Sequence, residues 1–235
     1  MWNVLDTGIQ TARENMAFDK KLLESMLPDD APILHLYDWQ RDSATYGYFT
    51  KPKHFLDIAK AESRGLDLAR RPTGGGIVFH TFDLAFSVLV PANHPGYSEN
   101  TLENYAFVNS LVQEAILPLI PEESDLLPQD PEPLDESSRN FCMAKPTIFD
   151  VMIKSRKIGG AAQRKKKQGF LHQGTISIIP PNQELLEEIL LPETRVLEAM
   201  KKNSFALLPE NHTPGEFLEM RETLKQELTK IVKSL

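Results

Sequence analysis

The sequence predicts an α+β fold, with a mixed, largely antiparallel sheet flanked by helices. Three observations carry this. Strand-like and helix-like segments mix without the strict strand–helix alternation of a parallel, doubly wound sheet. No internal repeat divides the 235 residues. Apolar residues make up 41% and charged residues 25%, a globular composition with material for a sizeable core. The length allows one large unit or two small ones, and 1–235 reads as a single domain.

Thr11-Ala12-Arg13-Glu14 is a capping box, and Ala12, Met16, Leu22, Leu23 and Met26 follow at roughly helical spacing up to Pro28. Residues 32–38 alternate as a strand, and 44–49, rich in Tyr and Thr, read as another. A short helix is expected over 53–63, closed by Gly65, then a strand over 66–70 and an apolar strand over 84–90. Residues 102–117 read as a helix. Residues 118–138 hold five prolines and seven acids, the composition of an exposed excursion without chemistry of its own. Strands are expected over 147–153 and 170–179, with a polar turn at Lys154-Ser155-Arg156. A helix over 184–200 must break at Pro192, because proline removes a donor and clashes with the preceding turn. Thr213-Pro214-Gly215-Glu216 starts the last helix with a cap, a proline at the first position and an acid at the third. Its stripe is Phe217, Met220, Leu224, Leu228, Ile231 and Leu235.

Several function classes drop out. Twenty-six basic against thirty-three acidic residues leave −7, so no global field attracts nucleic acid. No apolar run reaches the length of a membrane span, and Met1 to Asp6 has no basic leader, so the expected address is the cytoplasm. The one cysteine, Cys142, excludes an intramolecular disulfide and a multi-cysteine zinc site. No histidine pair has metal-ligand spacing, so no metal site is expected.

The strongest local signal is Arg70-Arg71-Pro72-Thr73-Gly74-Gly75-Gly76-Ile77-Val78-Phe79-His80. Consecutive glycines let backbone N–H groups approach a ligand, and the arginines can pair with a phosphate or carboxylate. No Gly-Lys-Ser/Thr follows, so it is not a P-loop. The second signal is Arg156-Lys157-Ile158-Gly159-Gly160-Ala161-Ala162-Gln163-Arg164, where a lysine enters a run of small residues and can stabilise an oxyanion or phosphate. Arg164 to Lys167 reads as a solvated basic run. Cys142 lies between an acidic stretch and Lys145-Pro146, an unusual place for deep core. His172, inside an alternating strand, fits a structural histidine at least as well as a catalytic one.

Together these motifs resemble the biotin/lipoate protein ligase family, most closely its lipoate–protein ligase and octanoyltransferase branch. The resemblance rests on Arg70-Arg71-x-x-Gly74-Gly75-Gly76-x-Val78-x-His80, then Lys157-x-x-Gly160-x-Ala162-Gln163-Arg164 and His172-x-Gly174-Thr175, and spans roughly residues 1–200. It implies one catalytic domain with the mixed sheet described above, attaching a lipoyl or octanoyl group to a lysine of a lipoyl domain. Acceptors would be E2 subunits of 2-oxoacid dehydrogenases or the glycine-cleavage H protein, with no nucleic acid or membrane as partner. It also implies that Arg70, Arg71, Gly74, Gly75, Gly76, His80, Gly160 and Ala162 bind the acyl group or its adenylate, with Lys157 catalytic.

Cys142-Met143-Ala144-Lys145-Pro146-Thr147-Ile148-Phe149-Asp150-Val151 is similar to the segment that carries the thioester-forming cysteine in cysteine-dependent octanoyltransferases. That favours transfer through a Cys142 acyl-enzyme, without a cofactor. The alternative implied by the family is a ligase that uses ATP and Mg to make lipoyl-AMP, with Cys142 a bystander. Thr81 departs from the aspartate usual in both branches, and Gly76 keeps the ligase-like form. An eight-carbon chain contributes about 0.8 kcal/mol per buried CH₂, so an apolar tunnel is expected, walled by residues 74–78, strand 84–90 and Ala161-Ala162.

Overall fold

The computed structural model describes residues 1–192 and 194–235. In chain order the elements are β1 (Asn3–Gln10), α1 (Ala12–Ser25), β2 (Ile33–Trp39), β3 (Ser43–Tyr46), α2 (Ile58–Ser63), β4 (Asp67–Arg70), β5 (Ile77–His80), β6 (Asp83–Pro91), α3 (Thr101–Ile116), β7 (Ser124–Leu126), β8 (Val151–Ile153), β9 (Arg156–Lys157), β10 (Ala161–Lys166), β11 (Gly169–Ser177), α4 (Gln183–Ile189), α5 (Val196–Asn203) and α6 (Pro214–Ser234).

The main sheet runs β1-β2-β6-β11-β10. Its β1–β2 pair is parallel and the other pairs are antiparallel, giving the mixed, mostly antiparallel sheet that the sequence predicts. β6 and β11, central and apolar, are buried along almost their whole length. The larger core lies between this sheet and α3 and α6, with Leu84, Phe86, Val108, Val112, Phe170, Leu224 and Leu228 at its centre. Lys225 of α6 ties the helix to the sheet, its Nζ 3.1 Å from both Asp6 and Asp38. A smaller sheet, β4-β3-β5, packs through Ala44, Ile77 and Phe79 onto α2, α4 and α5 in a second core that also takes Phe141, Met143 and Ala144. A third, β7-β8-β9, carries Lys157.

Both expected capping boxes form, at Thr11 and Thr213. The helix expected over 184–200 divides into α4 and α5 around Pro192, and Glu193, within that break, lies outside the described residues. Two expectations need correction, and one strand carries no sequence signal. Asn3–Gln10 is a strand, unremarked in sequence because most of its side chains are only half-buried at a sheet edge. The basic run Arg164 to Lys167 closes edge strand β10, with Lys165 and Lys167 exposed as expected and Lys165 reaching Glu99. Residues 147–150 form a tight turn, with Phe149 at φ 65°, so only Val151–Ile153 of that expected strand pairs. The proline-rich stretch is also not a plain excursion. Ser124–Leu126 pairs with β8, and Asp130 and Asp135 hold backbone amides of Ile148, Ser138 and Arg195. No helix among the described residues is long and apolar enough to cross a membrane.

Candidate functional site

Cys142 is delivered by a turn at Ser137–Asn140 and a short extended segment laid against β5. Its N–H donates to Ile77 O at 3.0 Å. On one side Phe141 is 1% exposed and packs on Phe79 and Phe55; on the other Met143 and Ala144 are buried. Two glycines make this approach possible. A Cβ on Gly76 would lie 2.1 Å from Asn140 O, and one on Gly160 would lie 2.7 Å from Cys142 Sγ. The sulfur therefore sits in a notch cut by missing side chains at the entries to two separate strands, β5 and β10.

Lys157 is 1% exposed, and its ammonium has three partners. Nζ lies 2.7 Å from Asp150 Oδ2. It donates to Cys142 O at 3.0 Å and to Cys142 Sγ at 3.5 Å. Burial alone depresses an ammonium pKa; the charges of Asp150 and then Cys142 outweigh it and raise that of Lys157, so it stays cationic. Asp150 is oriented in turn by Thr147, whose N–H and Oγ1 donate to it at 2.6 and 2.9 Å. The left-handed Phe149 turns the chain so that Asp150 faces inward.

Cys142 and Lys157 open into a cavity of about 380 Å³. Gly75, Gly76, Tyr105, Phe141 and Ala161 form its inner wall, with Asp130, Arg139 and Lys145 among its other residues. Tyr105, on α3, is a lining residue that sequence reasoning missed. Its position carries no signal beyond an ordinary helix aromatic.

The expected acyl-binding residues divide. Gly75 has φ 85°, and Gly74 has nothing within 4 Å of where its Cβ would be, so the loop presents open backbone. Arg71 is buried and spends all five N–H groups on the chain: Nε on Thr73 Oγ1, Nη1 on Thr45 O and Oγ1, and Nη2 on Gly74 O and Gly76 O. It shapes the glycine loop rather than offering donors to a ligand. His80, stacked on Trp39, bonds Thr45 Oγ1 at 2.8 Å and Asp83 at 2.6 Å. Arg70 is exposed and lies over the Tyr48 ring, 4.8 Å from its centroid. His172 is fully buried, bonded to Gln163 at 2.8 Å, and burial pushes its pKa down to about 3, which fits a structural role.

The expected apolar tunnel is present only as a slot of about 20 Å³, room for about one water. Val78, His80, Gly160, Ala162 and Gly174 are among its walls; Arg71 and Met16 also line it, and strand 84–90 does not. That strand turns Phe86 instead toward a separate small cavity beneath Gly160.

A family model described as "Lipoyl protein ligase A/B catalytic domain" matches residues 11–211. The chain is 29% identical over 207 residues to the octanoyltransferase LipM of Staphylococcus epidermidis, covering 86% of this chain and 75% of that protein. It is 28% identical over 232 residues to LipM of Halalkalibacterium halodurans, covering 95% and 83%. Among solved structures, a bipartite lipoate protein ligase from Thermoplasma acidophilum, studied with its E2 lipoyl domain, superposes with a TM-score of 0.72 at 21% identity, over 98% of this chain and 83% of that one. A putative lipoate protein ligase from the same organism with bound lipoic acid gives 0.68 at 23% identity, over 99% and 85%.

Proposed function

We infer the reaction from the premise that this chain belongs to the lipoyl protein ligase A/B catalytic-domain family. It transfers an octanoyl or lipoyl group to a lysine of a lipoyl domain, through an acyl-enzyme on Cys142. The observation that carries the mechanism is the Cys142 sulfur 3.5 Å from the Lys157 ammonium, at the wall of an open cavity.

A thiolate is the attacking species, and the Lys157 ammonium lies beside the sulfur. Sγ attacks the carbonyl carbon of an acyl thioester. The carbonyl pair moves onto oxygen, then returns and expels the donor thiolate, which takes up a proton. The neutral amine of the acceptor lysine next attacks the Cys142 thioester, forms the amide and releases Sγ and a proton. Lys157 holds Cys142 by two contacts and cannot drift, because Asp150 fixes its third N–H. Gly74 to Gly76 bring backbone N–H groups to the acyl oxygen, and Ala162 and Gly160 leave room for the chain behind it. Arg71 and His80 keep that loop and slot in shape. Residues 1–235 serve this one site as a single catalytic domain, with 118–138 contributing Asp130 to the cavity and α6 bracing the sheet.

The acceptor is a lipoyl domain of an E2 subunit or an H protein. Lipoyl-AMP formation with ATP and Mg is the competing chemistry, and one assay separates them. Octanoyl transfer from a thioester donor to an acceptor domain is expected without ATP and lost in Cys142→Ser. Transfer that requires ATP and survives in Cys142→Ser would replace this reading with the ligase one.

A further inference from the structure

The tetrahedral step puts a negative charge on the acyl oxygen, and the obvious donor has nothing left to give. The Lys157 ammonium carries three protons, directed at Asp150, Cys142 O and Cys142 Sγ. The Cys142 N–H is spent on Ile77 O. We propose that Tyr105, through its phenol O–H, is the side-chain donor that holds the acyl oxygen during thioester exchange on Cys142. This rests on the acyl-enzyme reading.

Tyr105 lines the same cavity as Cys142 and Lys157. Its ring is set edge-on to the buried His172, 5.5 Å between centroids, and its helix is anchored on either side by buried Asn104 and Val108. Burial and then the Cys142 charge push the phenol up to about 12, so it stays protonated through the neutral range. The charged and titratable groups around it are Arg71 from the segment after β4, Cys142 and Asp150 from the loop, Lys157 from β9, His172 from β11, and Asp130, Arg139 and Lys145 along the cavity. Among the described residues, Tyr105 forms no salt bridge or side-chain hydrogen bond that would consume its proton. In the step itself Sγ–C forms, the C=O pair moves to oxygen, and Tyr105 donates a hydrogen bond without surrendering its proton. The pair returns as the donor thiolate leaves.

Removing one preorganised oxyanion donor costs on the order of 10²–10³ in rate. Tyr105→Phe is therefore expected to slow Cys142 acylation by about 10²-fold, with KM little changed and alkylation of Cys142 by iodoacetamide unchanged. Acylation at the parental rate would overturn the proposal. So would an equal loss in acylation and alkylation, which would make Tyr105 a prop for the sulfur. If Tyr105→Phe melts below the assay temperature, 3,5-difluorotyrosine at position 105 keeps the shape and makes the phenol more acidic. A new falling limb in the pH–rate profile toward alkaline pH is then expected, and an unaltered profile would refute the role. Undiminished transfer by Cys142→Ser would instead sink the acyl-enzyme reading itself.

Discussion

Two halves of the molecule meet at Cys142, and they are held in different ways. The sheet half supplies the glycine loop before β5 and the small residues opening β10. It is fixed by strand ladders and by a buried polar chain running from Arg71 through Thr45 and His80 to Asp83. The loop half, residues 137–150, supplies Cys142 and Asp150. It is pinned by Phe141, Met143 and Ala144 in the second core, by backbone hydrogen bonds such as Cys142 N–H to Ile77 O, by close backbone contact at Gly76, and by the ion pair of Asp150 with Lys157. The sheet half shapes a ligand slot; the loop half brings the reactive groups. The nucleophile's position therefore depends on a handful of contacts, each of which can be removed singly.

The largest expected effect is at Lys157. Lys157→Ala should lower transfer by at least 10²-fold and also cost about 3–5 kcal/mol of stability, because it strands Asp150 as a buried, unpaired charge. The double replacement Lys157→Met with Asp150→Leu should regain most of that stability without regaining activity, since apolar pairs often replace buried ion pairs at little cost. Denaturant midpoints and transfer rates on the three proteins read the two effects apart. Recovery of transfer in the double variant would mean that the loop half needs only to be packed.

A smaller effect sharpens the contrast between glycines. Gly76→Ala must push against Asn140 O, and Gly160→Ala against the sulfur, whereas Gly74→Ala meets open space. The first two should cost about 1–3 kcal/mol in stability or displace Cys142, seen as slowed iodoacetamide alkylation. Gly74→Ala should stay within about 0.5 kcal/mol of the parent. Equal tolerance at all three positions would break the account of how the loop docks.

A further effect, seen only on acidification, belongs to the sheet half. His172 titrates near 6.5 when unfolded but is held at about 3 by burial. Between those values the unfolded chain binds the extra proton, so stability is fully present above pH 6.5 and is lost as pH falls toward 3. The slope from this group is at most about 1.4 kcal/mol per pH unit. Chemical denaturation from pH 7 to 4 should show that decline, and His172→Gln should flatten it. An unchanged slope would mean that His172 is not held neutral.

Legibility in the sequence follows the same divide. The central strands could be read because they are continuously apolar or alternate, and both capping boxes carry local signatures. Edge strands could not: β1 is half-exposed and β10 is basic, because the outer side of an edge strand faces water. The glycine loop, Lys157 and Cys142 stood out as motifs. What they do to one another did not, because Gly76 against Asn140 and Gly160 against the sulfur are contacts far apart in the chain. Arg71 looked like a ligand hook until its five bonds could be counted. Tyr105 was invisible because a helix aromatic that lines a cavity has the same pattern as one that fills a core.

The central claim, that acyl groups pass through Cys142, is tested most directly by intact-protein mass spectrometry after mixing with an octanoyl thioester donor, without ATP or acceptor. One octanoyl adduct is expected, located on Cys142, sensitive to hydroxylamine, absent in Cys142→Ser and discharged by adding a lipoyl domain. An unmodified Cys142 under those conditions, in a protein that lipoylates its acceptor once ATP is supplied, would contradict it.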